Sequence, residues 1–152
     1  MILISHRGNL NGKDLTLENS PQQIEYCLNE NFNVEIDVNF FKNKIYLGHD
    51  EPQYEIQQTF LKKEGLWCHA KDIESLHLLL KINTNCFSHN IDNAVLTSKG
   101  FIWTFPGNKL TSKSICVLPE KSNYKKNELL IAAGICTDYI FNYRNLINEN
   151  TK

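Results

Sequence analysis

The residue pattern predicts an α/β protein, a reduced or incomplete TIM-type β/α barrel with mostly parallel strands and with helices missing from its second half. Three observations carry this. Apolar strand-like runs alternate with amphipathic helical patterns through the first 90 residues, which favours parallel strands joined by right-handed crossovers. The second half replaces that alternation with hairpin and short-loop signals. The chain has 152 residues, whereas a full eightfold barrel takes about 250. That length suits one domain with one core, spanning 1–152.

Met1–Ser5 is a continuous apolar run and predicts a buried strand. A polar loop with Gly8 and Gly12 follows, and Asn19 or Ser20 before Pro21 marks a helix start, with Ile24, Cys27 and Leu28 at helical spacing. Asn33–Val38 is a second strand, and Asn39–Leu47 reads as a hairpin turning at Lys42-Asn43-Lys44. Residues 51–65 read as loop with a short helix. Leu66–Ala70 is the third strand, Asp72 caps a helix carrying Ile73, Leu76, Leu79 and Leu80, and Asn85–Ser88 is the fourth. Ala94–Thr97 and Phe101–Thr104 flank Ser98-Lys99-Gly100, a hairpin signal. Ser114–Leu118 is a strand, Asn123–Ala133 a helix closed by Gly134, Ile135–Ile140 a last strand, and a short helix ends the chain.

Composition narrows the function classes. The apolar fraction of 41% is that of a folded domain, and the formal charge is −1, from sixteen basic and seventeen acidic residues. No basic excess drives binding to nucleic acid or to an acidic membrane surface, so an anionic ligand must be held by a few placed groups. No apolar run approaches the ~20 residues that span a bilayer, so stable membrane insertion is not expected. The first residues enter a strand without the features of a signal peptide, and the five cysteines are odd in number and mostly within apolar runs. Both predict a cytoplasmic protein with reduced thiols.

Four polar clusters fall at the C-terminal ends of predicted strands, the edge where β/α barrels build active sites. Glu35 and Asp37 lie two apart on one strand face, about 7 Å apart along the backbone. Their mutual repulsion would be relieved by a hard divalent cation; alternatively they are solvated acids of a half-exposed strand. His6-Arg7-Gly8 offers a proton-transfer group, a planar phosphate fork and a sharp turn, or else a plain surface loop. His49 precedes Asp50 after the hairpin and, taken alone, reads as a structural histidine before a catalytic one. His69 and Lys71 share a face; Lys71 can meet a phosphate as a point charge, while His69 is a ligand, a proton donor or a buried structural ring. His89 is a weaker candidate of the same kind, and Glu120 and Asp138 are late carboxylates. His77 belongs to a helix surface, and Trp67 and Trp103 to the core, with Trp103 able to line a pocket.

Taken in order, His6-Arg7-Gly8, Glu18-Asn19-Ser20 before a helix, Glu35-x-Asp37, a hairpin and His49-Asp50 resemble the glycerophosphodiester phosphodiesterase family. The resemblance covers residues 4 to 50, becomes diffuse beyond residue 71, and returns at Gly134–Asp138, similar to a final strand ending in Thr-Asp. It implies that His6 and His49 form an acid–base pair, that Glu35 and Asp37 bind Mg²⁺ or Ca²⁺, that Arg7 contacts phosphate, and that Glu18 lies near the metal or orients Arg7. The substrate it implies is a small-molecule phosphodiester with a glycerol-like or sugar-like alcohol. Where the family carries a third acidic ligand this chain has His69, which admits Mn²⁺, Zn²⁺ or Fe²⁺; otherwise Glu120 or water completes the shell. Two other readings stand beside hydrolysis: a non-catalytic phosphate- or metal-binding module, and a lyase that releases a cyclic phosphate. Uncovered strand edges of an incomplete barrel leave a homo-oligomer open.

Overall fold

A computed structural model describes residues 1–148. The elements are β1 (Ile2–His6), α1 (Pro21–Asn29), β2 (Asn33–Phe41), β3 (Lys44–Leu47), β4 (Tyr54–Ile56), β5 (Leu66–Ala70), α2 (Ile73–Lys81), β6 (Cys86–Phe87), β7 (Ala94–Leu96), β8 (Ile102–Thr104), β9 (Ser114–Val117), α3 (Lys126–Leu129), β10 (Gly134–Thr137) and α4 (Ile140–Asn148). The main path of the sheet, β4-β3-β2-β1-β10-β9-β8-β7, curls into a half-barrel, and β5 pairs with both β2 and β6. The pairs β1–β10, β1–β2, β10–β9, β2–β5, β5–β6 and β8–β9 are parallel. Only the hairpins, β2–β3–β4 and β7–β8, are antiparallel. The architecture is that of an incomplete, mostly parallel barrel.

Strand alternation divides each strand between two surfaces. Val34, Ile36 and Val38 of β2 and Leu66, Cys68 and Ala70 of β5 pack outward with Ile24, Cys27 and Leu79 of the helices. Cys116 and Ile135 pack with Leu129 beside α3. The alternate positions, Ile4, Trp67, Ile115, Val117 and Cys136, meet on the concave side with Phe87 and Trp103. The same alternation places His6, Glu35, Asp37 and His69 inward, at the strand ends. Period-two geometry thus builds the core and the site at once.

Helix signals act where expected. Ser20 caps α1, its Oγ accepting from Gln23 N at 3.3 Å with Pro21 next. Asp72 caps α2, accepting from Ser75 N at 2.6 Å. The helix expected over 123–133 shrinks to the single turn of α3. Ala133 explains this: its N–H donates to Ser114 O and its carbonyl accepts from Ile2 N, both at 2.9 Å, so its backbone already serves the sheet. The last strand is likewise shorter than expected, ending at Thr137, and Ile140 opens α4. The segment 51–65 holds the expected short helix as a 3-10 turn, Gln58–Lys62, and adds the strand β4. All five cysteines are buried and free, and burial pushes the Cys116 thiol up to about 12. None is a thiolate at neutral pH.

Gly134 sits where β10 is squeezed between β1 and β9. A Cβ there would lie 2.8 Å from Ile2 O, 2.9 Å from Ile2 Cβ and 3.0 Å from Ile115 Cδ1. Backbone on one side cannot yield as a side chain would, so Gly134→Ala is expected to destabilise the fold by about 2 kcal/mol. Urea unfolding would read this as a lower midpoint at unchanged slope, and an unchanged midpoint would show that the strands can separate freely.

Candidate functional site

The strand ends surround a cavity of about 470 Å³, lined on its polar side by His6, Arg7, Glu35, His49, His69 and Lys71 together with Asp138. Register explains the closest contact. Asp37 of β2 lies opposite His69 of β5, and their side chains meet with His69 Nδ1 2.9 Å from Asp37 Oδ1. β2 runs three residues beyond its last partner on β5, and this excess carries the β2–β3 hairpin, which returns the chain to the cavity at Gly48-His49. Gly48 has φ 147°, and a Cβ there would collide with Glu51 O, so only glycine delivers His49 to this place.

Asp37 is the hub. It is fully buried, with Arg7 Nε 3.0 Å from Oδ2 and with Lys71 Nζ and His49 Nδ1 each 3.6 Å from Oδ1. Asn19 clamps it twice, donating from Nδ2 to Oδ2 at 3.0 Å and accepting from Asp37 N at 2.8 Å. Burial alone would raise its pKa, but the hydrogen bond with His69 and the Arg7 charge outweigh burial and hold it well below the ordinary 3.8. Glu35 shows the opposite balance. Burial and the neighbouring Asp37 charge raise its pKa above 4.5, against a smaller pull from His6, Arg7 and His69. Its Oε2 accepts one hydrogen bond, from Arg7 N at 3.2 Å.

Each candidate proton-transfer histidine has one ring nitrogen assigned by a neighbour. His6 Nδ1 is 2.7 Å from Asp138 Oδ1. Burial opposes the Asp138 charge, but His6 and Asn9 hold its pKa below 3.8, so it is an acceptor near neutral pH and Nδ1 carries the proton. His6 Nε2 is then left to face Glu35, 3.9 Å away. His49 Nδ1 lies 3.0 Å from Lys71 Nζ. An ammonium only donates, so Nδ1 accepts and Nε2 carries the proton.

Arg7 is in the left-handed region, at φ 54°, and its side chain lines the cavity. Burial opposes its charge, yet Asp37, Glu35 and Glu18 together raise its pKa. Glu18 lies 3.4 Å from Arg7 Nη1 and accepts from Asn9 Nδ2 at 2.9 Å, so it orients Arg7 and is not among the clustered ligands. Asn9 Nδ2 also reaches Asp138 at 2.8 Å, tying the Arg7 and His6 supports together.

Among the described residues, Glu35, Asp37 and His69 form a group able to hold a metal ion, each offering one ligand atom within 4.8 Å of the others. The donor chemistry fits: two carboxylates and an imidazole, one carboxylate pushed above its ordinary range by burial and by the other's charge, a repulsion that a divalent cation relieves. His69 Nδ1 is engaged by Asp37, which leaves Nε2 as its other ring donor, an arrangement common in metal-ligating histidines. Glu120, the other residue considered for this shell, lies outside the cavity. It accepts from Thr137 Oγ1 and from Asp138 N, each at 2.9 Å, and thereby fixes the carboxylate that holds His6. His77 is exposed on α2, and His89 lines the cavity wall.

Sequence reasoning left the roles of Asn9, Asn19 and the Asp138–His6 pair unread. Asn19 carried a signal: it is a left-handed residue at φ 61°, a conformation asparagine tolerates, beside the start of α1. Asn9 carried none. No helix among the described residues is long and apolar enough to cross a membrane.

No family model matches the chain, and neither a curated protein nor a solved structure matches it.

Proposed function

We propose that the chain is a divalent-metal-dependent phosphodiesterase on a reduced TIM-type β/α barrel, of the glycerophosphodiester phosphodiesterase kind. The observation that supports this most is the convergence, in one cavity, of a carboxylate-imidazole group with two histidines in complementary proton states. A metal held by Glu35, Asp37 and His69 would supply charge stabilisation at a phosphoryl oxygen. Mg²⁺ and Mn²⁺ suit the two oxygens, and Zn²⁺ suits the imidazole; Ca²⁺, which prefers more oxygens, suits this set less. Arg7 and Lys71 draw the anionic diester into the cavity. His6 Nε2 removes the proton of the attacking hydroxyl, and His49 Nε2 returns one to the departing oxygen while Lys71 Nζ passes its own proton to His49 Nδ1. The attacker is water or a neighbouring hydroxyl of the substrate, and in the second case a cyclic phosphate forms first. The buried free thiols support a cytoplasmic setting.

The test is a chelator-stripped protein assayed on bis(p-nitrophenyl) phosphate and on glycerophosphodiesters, with Mg²⁺, Mn²⁺, Ca²⁺ or Zn²⁺ restored singly. Metal-dependent release is expected, and phosphorus NMR of the products separates a hydrolase from a lyase. Absence of turnover with every metal and diester would reject the enzyme reading. Metal affinity should fall with pH by about tenfold per unit below the raised pKa of Glu35, because the ion displaces its proton. Calorimetry would read this, and a pH-independent affinity would remove Glu35 from the ligand set.

A second reading has one observation in its favour. Arg7, Lys71, His49 and His69 all crowd Asp37, so the cavity could hold a phosphate on its own cations with no metal and no chemistry. Phosphate binding in chelator without any turnover would favour that binding module.

A further inference from the structure

The wall facing the ionic groups is a continuous series of rings. His69 and His89 stack at 4.4 Å between centroids, and His89 meets Phe105 at a further 4.4 Å. His69 also stacks on Phe87 at 5.2 Å, and Phe87 on Trp103 at 4.4 Å. Phe87 and Trp103 are buried with the concave core, where packing explains them fully. His89 and Phe105 are only half-buried and both line the cavity, with Phe105 resting partly on that same core. They carry the series from the metal-capable His69 outward to the mouth in two steps. A phosphate drawn in by Arg7 and Lys71 would extend one of its ester arms along this wall.

The charge of the cavity decides which arm fits. Aromatic walls suit two kinds of group: flat or cyclic groups with an apolar face, and quaternary ammonium cations. Arg7, Lys13, Lys71 and Lys121 line the same cavity, against the carboxylates of Glu35 and Asp138. Asp37 balances Arg7 and Lys71, so the exposed Lys13 and Lys121 are the lining cations left to repel a choline-like arm. An open-chain glycerol has no face to lay on a ring.

We infer that one ester arm of the substrate is a ring with an apolar face, aryl or sugar, seated against Phe105 and His89. This rests on the phosphodiesterase reading of the same cavity and narrows its substrate class. Phe105, the outermost ring, is the specificity-determining residue.

Calorimetric titration of the full chain with phenyl phosphate, glucose 6-phosphate, glycerol 3-phosphate and phosphocholine tests this without requiring turnover. At least one ring phosphate should bind about tenfold more tightly than glycerol 3-phosphate, with phosphocholine weakest. Preference for the phenyl or the glucose arm distinguishes an aryl from a sugar source. Phe105→Ala should remove the ring advantage, Phe105→Leu should remove most of it while keeping apolar bulk, and Phe105→Trp should retain it. Equal affinity for ring and glycerol phosphates, tightest binding of phosphocholine, or a ring advantage that survives Phe105→Ala would overturn the seat. Binding of none of the four would overturn it together with the phosphate site. Ring preference without diester turnover would reject the enzyme and keep the seat; turnover without ring preference would do the reverse.

Discussion

His49→Ala is expected to lower kcat on any accepted diester by about 10²–10⁴-fold, the contribution usual for a placed general acid. Leaving-oxygen protonation should matter most with a poor leaving group. The loss should therefore be largest on an alkyl diester and smallest on a p-nitrophenyl one, whose alcohol departs without help. His49 is about one-third exposed and touches the buried network only through Lys71 and Asp37, so the fold should survive its removal. Thermal unfolding alongside the kinetics separates the two effects. A uniform loss on both substrates would remove His49 from the protonation step, and full activity on both would remove it from the reaction. His6→Ala should cost as much, without that dependence on the leaving group, because His6 serves the attacking side.

The parts of this site that were legible in the sequence are those set by local geometry. Glu35 and Asp37 share a face because strand side chains alternate, and the apolar Val34, Ile36 and Val38 between and beside them announce which face turns outward. The Ser20-Pro21 start of α1, the Asp72 cap and the hairpin at Lys42-Asn43-Lys44 are likewise local signals that the structure contains. What could not be read depends on pairings between distant segments. Asp138 reaches His6 only because β10 lies beside β1, a contact across 132 positions. Glu120 was open to a ligand role until the turn after β9 brought it against Thr137. The helix expected over 123–133 is present only as the turn Lys126–Leu129, and at its C-terminal end sheet closure claims the backbone of Ala133. His69 is the intermediate case. Its spacing from Lys71 was visible, whereas its bond to Asp37 required the parallel register of β2 and β5.

Asp37→Asn is expected to be the most damaging single change, because one buried carboxylate serves three tasks. It offers a ligand atom, it holds His69, and it balances Arg7 and Lys71. The amide keeps the size and part of the Asn19 clamp but removes the charge. Arg7 then retains only Glu18, at 3.4 Å, as its close acidic partner among the described residues. Breaking a buried charge pair costs about 3–5 kcal/mol; that remaining contact, and the part-exposed Lys71, place this case near 3 kcal/mol. Metal binding should be lost as well. The pH dependence separates charge from shape. Asp37 has its pKa held well below 3.8, so its stabilising contribution is complete above that value and disappears as the pH falls toward the depressed one. In chelator, the stability gap between wild type and Asp37→Asn should therefore remain open down to about pH 4 and close below it. Urea midpoints across that range would show it. A gap that persists at low pH would mean that the amide fails by its shape, and no gap at any pH would mean that Arg7 and Lys71 are neutralised by something other than Asp37.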